Sequence, residues 1–146
     1  MDVTYAARRP WVPRQAQFMT WAAAALSGRT AAGGVLSVRV VGAARSRSLN
    51  ARYRRKDKPT NVLSFDGPGP GPDGFHYLGE LVICAPVVAR EAILQGKSPE
   101  SHWAHMTVHG VLHLLGFDHE RDAEARKMAA REIQILDRLG FSDPYA

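Results

Sequence analysis

The stretch HGVLHLLGFDH, residues 109–119, constrains this chain more than any other part of its sequence. It places His109, His113 and His119 at relative positions i, i+4 and i+10, with Gly116 between the last two. Two histidines four residues apart project from the same face of a helix. A glycine can end that helix in a left-handed conformation, so that the chain can turn and bring back the third imidazole. The spacing therefore predicts a metal site at the end of a helix.

Three neutral imidazoles are suitable ligands for zinc, and they leave a fourth coordination position open. An open position is typical of a catalytic zinc site rather than a structural one. We therefore expect one zinc ion bound by His109, His113 and His119. His105 and His102 lie one and two turns earlier on the same helix. We expect them to form hydrogen bonds beside the site, or to pack there, rather than to bind the metal.

The motif differs from that of the long-motif zinc proteases, H-E-x-x-H-x-x-G-x-x-H, because Gly110 replaces the glutamate. In a protease this glutamate takes a proton from water and returns it to the leaving amine. A phosphodiester instead needs its charge neutralised, which a metal and an arginine can do. Arg54 or Arg55 could bind a phosphate through two hydrogen bonds. The missing carboxylate therefore favours a phosphodiester substrate over a peptide.

The charge of the chain is strongly uneven. Residues 1–60 hold 12 Lys and Arg against 2 Asp and Glu, whereas residues 61–146 hold 7 against 12. The densest basic segment is RSRSLNARYRRKDK, residues 45–58, and Tyr53 within it could stack on a nucleobase. This pattern indicates either a surface that binds a polyanion or a solvated basic helix face.

Length and composition predict a single domain, residues 1–146, since 45% of the residues are hydrophobic. The longest apolar stretch, WAAAAL, is far shorter than the roughly 20 residues of a membrane span. The first residues lack the apolar segment of a signal peptide. The only cysteine, Cys84, cannot form an intrachain disulfide and is expected to be a small buried residue. We therefore expect a cytoplasmic protein with no membrane partner.

Hydrophobic periodicity predicts helices mixed with about four short strands, which indicates an α+β or a three-layer α/β domain. Leu49 and Tyr53 are expected on the inner face of the second helix. Gly28 is expected to end the first helix, and Ser98 to cap the fourth. The glycine- and proline-rich segment 67–74 is expected to be a flexible connection. The expected strands are 3–6, 35–41, 60–65 and 77–84, and the expected helices are 13–28, 43–55, 86–96, 98–116 and 122–140.

Three segments together resemble the YbeY family of bacterial rRNA maturation factors: LNARYRRKDKPTNVLSF, YLGELVIC and HGVLHLLGFDH. The resemblance runs from the first expected strand to GFSDPY near the end. It implies a zincin-like α+β fold in which a roughly four-stranded sheet and about five helices surround the metal-binding helix. It also implies a metal-dependent endoribonuclease that cuts single-stranded RNA, acting in 3′-end maturation of small-subunit rRNA and in ribosome quality control.

On this resemblance His109, His113 and His119 match the metal ligands of the family, and Arg54 matches its functional arginine. Thr60 and Asn61 lie in a matching segment but are not expected to be catalytic. The chain departs from the family at Glu80, where aspartate is usual, and in the segment 67–74.

Two other functions stay open at this point. A small zinc metalloprotease could take its base from Glu80 or Glu120. A ribosome-assembly factor without catalytic activity could use the metal only to support its fold.

Overall fold

The computed structural model describes residues 1–27 and 34–146 of the chain. Within these residues the expected α+β architecture of four strands and five helices is confirmed. Gly28, the expected end of the first helix, lies outside the described residues. The elements are β1 (Asp2–Tyr5), α1 (Gln15–Leu26), β2 (Gly34–Val41), α2 (Ala43–Arg54), β3 (Val62–Pro70), β4 (His76–Cys84), α3 (Ala85–Leu94), α4 (Pro99–Leu114) and α5 (Asp122–Arg138).

The strands form one mixed sheet in the order β1-β2-β4-β3. β1, β2 and β4 are parallel, and β3 pairs antiparallel with β4 at the edge of the sheet. Each parallel pair requires a crossover connection, which α1 supplies between β1 and β2. The antiparallel β3 needs only the short turn at residues 71–75 to reach β4.

Each face of the sheet packs against its own hydrophobic cluster. The larger cluster joins the sheet to α1, α4 and α5, and Phe18 and Trp103 are among its largest fully buried side chains. The smaller cluster lies on the opposite face, where Leu49 of α2 and Val87 of α3 cover the sheet. Cys84 is fully buried in this cluster, as the sequence predicts.

The central element is α4, which contacts α1, α3, α5 and the strands β3 and β4. Residues 102–108 and 110–112 of this helix are buried. The expected cap is present, because the Ser98 side chain accepts a hydrogen bond of 3.1 Å from the backbone N–H of Ser101. No helix in the described part of the chain is both long and apolar enough to cross a bilayer.

The structure corrects two expectations. Tyr53 is not on the inner face of α2: its side chain is 58% exposed, and the buried residues of that helix are Ser46, Leu49 and Asn50. The segment 67–74 is only partly a connection, because β3 continues to Pro70, which pairs with His76. A proline lacks the N–H of a ladder bond and is tolerated at an edge strand, which β3 is.

Candidate metal centre

The predicted helical pair is formed by His109 and His113 in the last turns of α4. Their ring centroids are 4.7 Å apart, and their two Nε2 atoms are 3.2 Å apart. Two nitrogens bound tetrahedrally to one zinc ion at about 2.0–2.1 Å would lie about 3.4 Å apart. The two rings therefore present their nitrogens at a separation suited to a shared cation.

The third histidine returns to the pair because α4 ends in a Schellman motif around Gly116. The Phe117 N–H donates to the carbonyl of Leu112, and the Gly116 N–H donates to the carbonyl of His113, both at 3.0 Å. Gly116 has a φ of +97°, which is the left-handed conformation that the sequence predicts for it.

The turn after Gly116 brings His119 to the helical pair. The ring of His119 lies 4.8 Å from that of His113 and 5.6 Å from that of His109, between centroids. One potential ligand nitrogen from each of the three histidines lies within 4.8 Å of the others. The donor set, three imidazole nitrogens, matches the ligand preference of zinc.

A buried glutamate on α5 orients one of these histidines. Glu132 is fully buried, and its carboxylate accepts hydrogen bonds from His109 Nδ1 at 2.5 Å and from His105 Nε2 at 2.8 Å. The Tyr145 hydroxyl donates to the same carboxylate. An ionised carboxylate has no proton to donate, so His109 must carry its proton on Nδ1. Its Nε2 therefore keeps a free lone pair toward His113 and His119.

The ionisation of these groups suits cation binding at neutral pH. Burial alone would raise the pKa of Glu132, but the hydrogen bonds from His105 and His109 bring it down to about 2. Burial, together with the neighbouring His109 and His119, lowers the pKa of His113 to about 4. His113 is therefore neutral at pH 7, and a proton competes only weakly for its lone pair.

Sequence reasoning missed Glu132. It lies on the buried side of α5 between Met128 and Leu136, four residues from each. A charged residue in the middle of an apolar helix stripe is a signal that it has a buried partner. His105 and His102 both form hydrogen bonds beside the three-histidine cluster. His102 Nε2 lies 2.8 Å from Glu91, and Glu91 also accepts a hydrogen bond from Asn61.

Gly110, at the position of the protease glutamate, packs closely against the sheet. The residue is buried against the sheet, and a Cβ there would lie 2.7 Å from Leu81 Cδ2 and 3.3 Å from Val62 Cγ2. A side chain at this position would force the Leu81 side chain to move, at the cost of overpacking the contact between α4 and the sheet. At Gly110, α4 therefore lies close to β3 and β4. In a protease the same position holds the catalytic base.

The three histidines open onto a cavity of about 870 Å³ between α4, β3 and the end of α2. Arg54 lines this cavity, whereas Arg55 is the left-handed residue that caps α2. Of the two arginines that the sequence singled out, Arg54 is the one that shares the cavity with the histidines. The acidic residues that line the cavity are Asp66, Asp118 and Glu120.

The two candidate protease bases are in different positions. Glu80 forms an ion pair of 2.6 Å with Arg39 of β2 and does not line the cavity. Glu120 does line the cavity, one residue after His119. Glu80, where the resembled family usually has aspartate, is therefore paired within the sheet.

Together, the fold and the site define an α+β protein built around a helix that carries a potential metal centre of three histidines. Within that class the chain belongs to the YbeY endoribonuclease family: the family described as "Endoribonuclease YbeY" matches residues 12–140. The resemblance noted in the sequence is thus confirmed.

Relatives described as endoribonuclease YbeY match nearly the whole chain. A protein from Stenotrophomonas maltophilia strain R551-3 is 55% identical, and the match covers 99% of this chain and 91% of the relative. One from Nitrosococcus oceani is 48% identical, with 99% of this chain and 95% of the relative covered. The fold is similar to the solution structure of TM1509 from Thermotoga maritima, with a TM-score of 0.59 at 20% identity over 95% of this chain and 89% of that one.

Glu132→Gln is expected to weaken zinc binding by about 10- to 100-fold, because the neutral amide no longer fixes the proton of His109 on Nδ1. Titration of the metal-free protein with zinc against a competing chelator would measure the change. Glu124→Gln is the matched control, since it removes the same charge two turns earlier on α5 and is expected to leave affinity unchanged. Equal zinc affinities of the wild type and Glu132→Gln would contradict the orienting role of this carboxylate.

Proposed function

We propose that this chain is a metal-dependent endoribonuclease that cuts single-stranded RNA. The observation that carries the proposal is a single cavity bordered by three clustered imidazoles and by Arg54. Membership of the YbeY family supports it, since the relatives are described as endoribonucleases. A metal and an arginine facing one cavity are suited to neutralising a phosphodiester.

We assign the metal to His109, His113 and His119, and we take one zinc ion as the cofactor. Three neutral nitrogen ligands favour zinc over the harder cations that prefer oxygen. When bound, the ion would supply positive charge for the phosphate and would make a bound water more acidic. The protein contributes the arrangement of the ligands, through Glu132 on His109 and through the turn at Gly116.

Arg54 is the residue that we assign to the scissile phosphate. Its guanidinium can donate two parallel hydrogen bonds to phosphate oxygens. It follows Tyr53 at the end of α2 and is exposed to solvent. This part of the chain is basic, although Arg47 is already paired with Asp57 through two hydrogen bonds of 2.7 and 3.0 Å.

We further propose that the RNA is small-subunit rRNA and that the protein acts in its 3′-end maturation and in ribosome quality control. On this proposal the protein works in the cytoplasm, with the small ribosomal subunit as its partner. The balance of +10 over residues 1–60 supports a polyanionic partner of this kind.

A metalloprotease is the second candidate function, and the observation that favours it is the position of Glu120. This carboxylate lines the cavity and could carry a proton to a leaving amine. The usual position of the base is Gly110, which has no carboxylate and packs closely against Leu81, so a protease would depend on Glu120 instead.

Removal of the metal tests the proposal. The purified protein is stripped with a chelator, and zinc is then restored in measured amounts. We expect single-stranded RNA to be cut only by the zinc-restored protein, at about one zinc per chain, while duplex RNA and a peptide panel stay largely intact. Cleavage of peptides with RNA left intact would favour the protease. Unchanged RNA cleavage by the stripped protein would refute metal dependence.

A further inference from the structure

Two aromatic rings form a corner at the rim of the metal cavity. Tyr53, near the end of α2, and Phe65, on β3, both line this cavity. Their ring centroids are 5.0 Å apart and their planes meet at 71°. Tyr53 is 58% exposed, while Phe65 is partly buried against the smaller hydrophobic cluster. The inner ring is therefore held by the core, and the outer ring projects into the cavity mouth.

The exposure of Tyr53 is not explained by the packing of α2. The buried positions of this helix include Leu49 and Asn50, and Tyr53 projects beyond them. A large ring with more than half of its surface in water gives little to stability. An exposed aromatic ring beside a charged cavity is instead suited to a flat ligand with one apolar face.

We propose that the Tyr53–Phe65 corner binds one unstacked nucleobase of the RNA, next to the phosphate held by Arg54. This inference rests on the proposed function. A base in the corner would stack on one ring and pack edge-to-face against the other. The guanidinium of Arg52, whose Cζ lies 5.8 Å from the centroid of the Tyr53 ring, adds positive charge beside the corner.

The position of the corner fits one nucleotide of a chain that crosses the metal centre. Tyr53 and Arg54 are consecutive residues, and both line the cavity that contains the histidines. A phosphate held by Arg54 would thus have the base of an adjoining nucleotide within reach of the ring. In a duplex this base is stacked between its neighbours and cannot enter the corner, whereas in a single strand it can. The corner therefore gives a physical basis for selecting unpaired RNA.

The test compares Tyr53→Leu with Tyr53→Phe. A short single-stranded RNA carries the fluorescent base 2-aminopurine at one position at a time, and stopped-flow mixing with the metal-loaded protein records binding before turnover. We expect quenching at one position near the cleavage site. Tyr53→Leu should remove this quenching and weaken binding by about tenfold, since stacking on an aromatic side chain is lost. Tyr53→Phe keeps the ring and should behave as the wild type.

An abasic RNA separates stacking from a general loss of structure. Removing the base at the quenched position should weaken wild-type binding by the same factor, and Tyr53→Leu should then cause no further loss. Trp11→Leu, at another exposed aromatic residue that does not line the cavity, is the matched control and should leave binding unchanged. Melting temperature and zinc content should not change in any of these variants.

The outcomes separate this inference from the function on which it rests. If the wild type cuts RNA and Tyr53→Leu binds intact and abasic RNA as the wild type does, the base site is refuted and the nuclease stands. If Tyr53→Leu loses base-dependent binding but the metal-loaded wild type does not cut RNA, the base site stands and the nuclease is refuted. A tenfold loss that is equally large on abasic RNA would also overturn the base site.

Discussion

Replacing His113 by alanine is expected to abolish zinc binding at micromolar concentrations and RNA cleavage together. Structural zinc sites with four ligands bind with about 10–16 kcal/mol, so each ligand is worth about 3 kcal/mol. A loss of this size weakens affinity by more than about 100-fold. His113 is a better target than His109, because His109 also donates a hydrogen bond to the buried carboxylate of Glu132. Replacing His109 would therefore remove one hydrogen-bond partner of the buried Glu132 carboxylate.

The measurement pairs zinc content per chain with the rate of single-stranded RNA cleavage. His76→Ala is the matched control: His76 is a partly buried histidine at the start of β4 that does not line the cavity. It should retain both zinc and activity. If His113→Ala loses zinc and still cuts RNA at the wild-type rate, the metal supports only the fold. That result would favour an assembly factor over an enzyme.

The geometry of the histidine cluster could be predicted from the sequence because it depends on local rules. A separation of four residues on a helix fixes the first two imidazoles, and a glycine with positive φ fixes the turn that returns the third. No long-range contact has to be known for these steps. The same holds for the cap at Ser98 and for the order of helices and strands.

The features that sequence reasoning missed depend on packing between distant segments. Glu132 meets His109 only because α5 crosses α4, and these residues are 23 positions apart. The exposure of Tyr53 depends on where α2 lies on the sheet, which helical periodicity does not specify. The extension of β3 through Pro70 depends on its place at the edge of the sheet, where a missing N–H is tolerated.

Gly110 illustrates how one small residue can connect packing to chemistry. Its lack of a side chain lets α4 lie against Leu81 and Val62, which positions the histidines over β3 and beside the end of α2. The same absence removes the proton carrier of a protease from the helix. In the proposed reaction, negative charge would therefore have to be stabilised by other groups that line the cavity. Arg54, on α2, is the cationic residue among those described there.

Arg54→Ala is accordingly expected to lower the turnover of single-stranded RNA by about 100-fold or more, with zinc content unchanged. Loss of a preorganised group that stabilises transition-state charge typically costs about 2.7–4 kcal/mol of activation free energy. The expected effect on stability is small, because Arg54 is exposed and its interaction with the end of the α2 dipole is worth about 0.3–1 kcal/mol.

Arg45→Ala separates this role of Arg54 from the general attraction of a basic helix for RNA. Arg45 is exposed on the same helix but does not line the cavity, so both variants lose one positive charge. Arg45→Ala should raise KM slightly at low salt and leave kcat unchanged, whereas Arg54→Ala should lower kcat at saturating RNA. Arg54→Lys should recover only part of the rate, because an ammonium group lacks the two parallel donors of the guanidinium. Equal kcat values for Arg54→Ala and Arg45→Ala would mean that Arg54 is only one of several residues that attract the substrate. A large fall in the melting temperature of Arg54→Ala would mean that its role is structural.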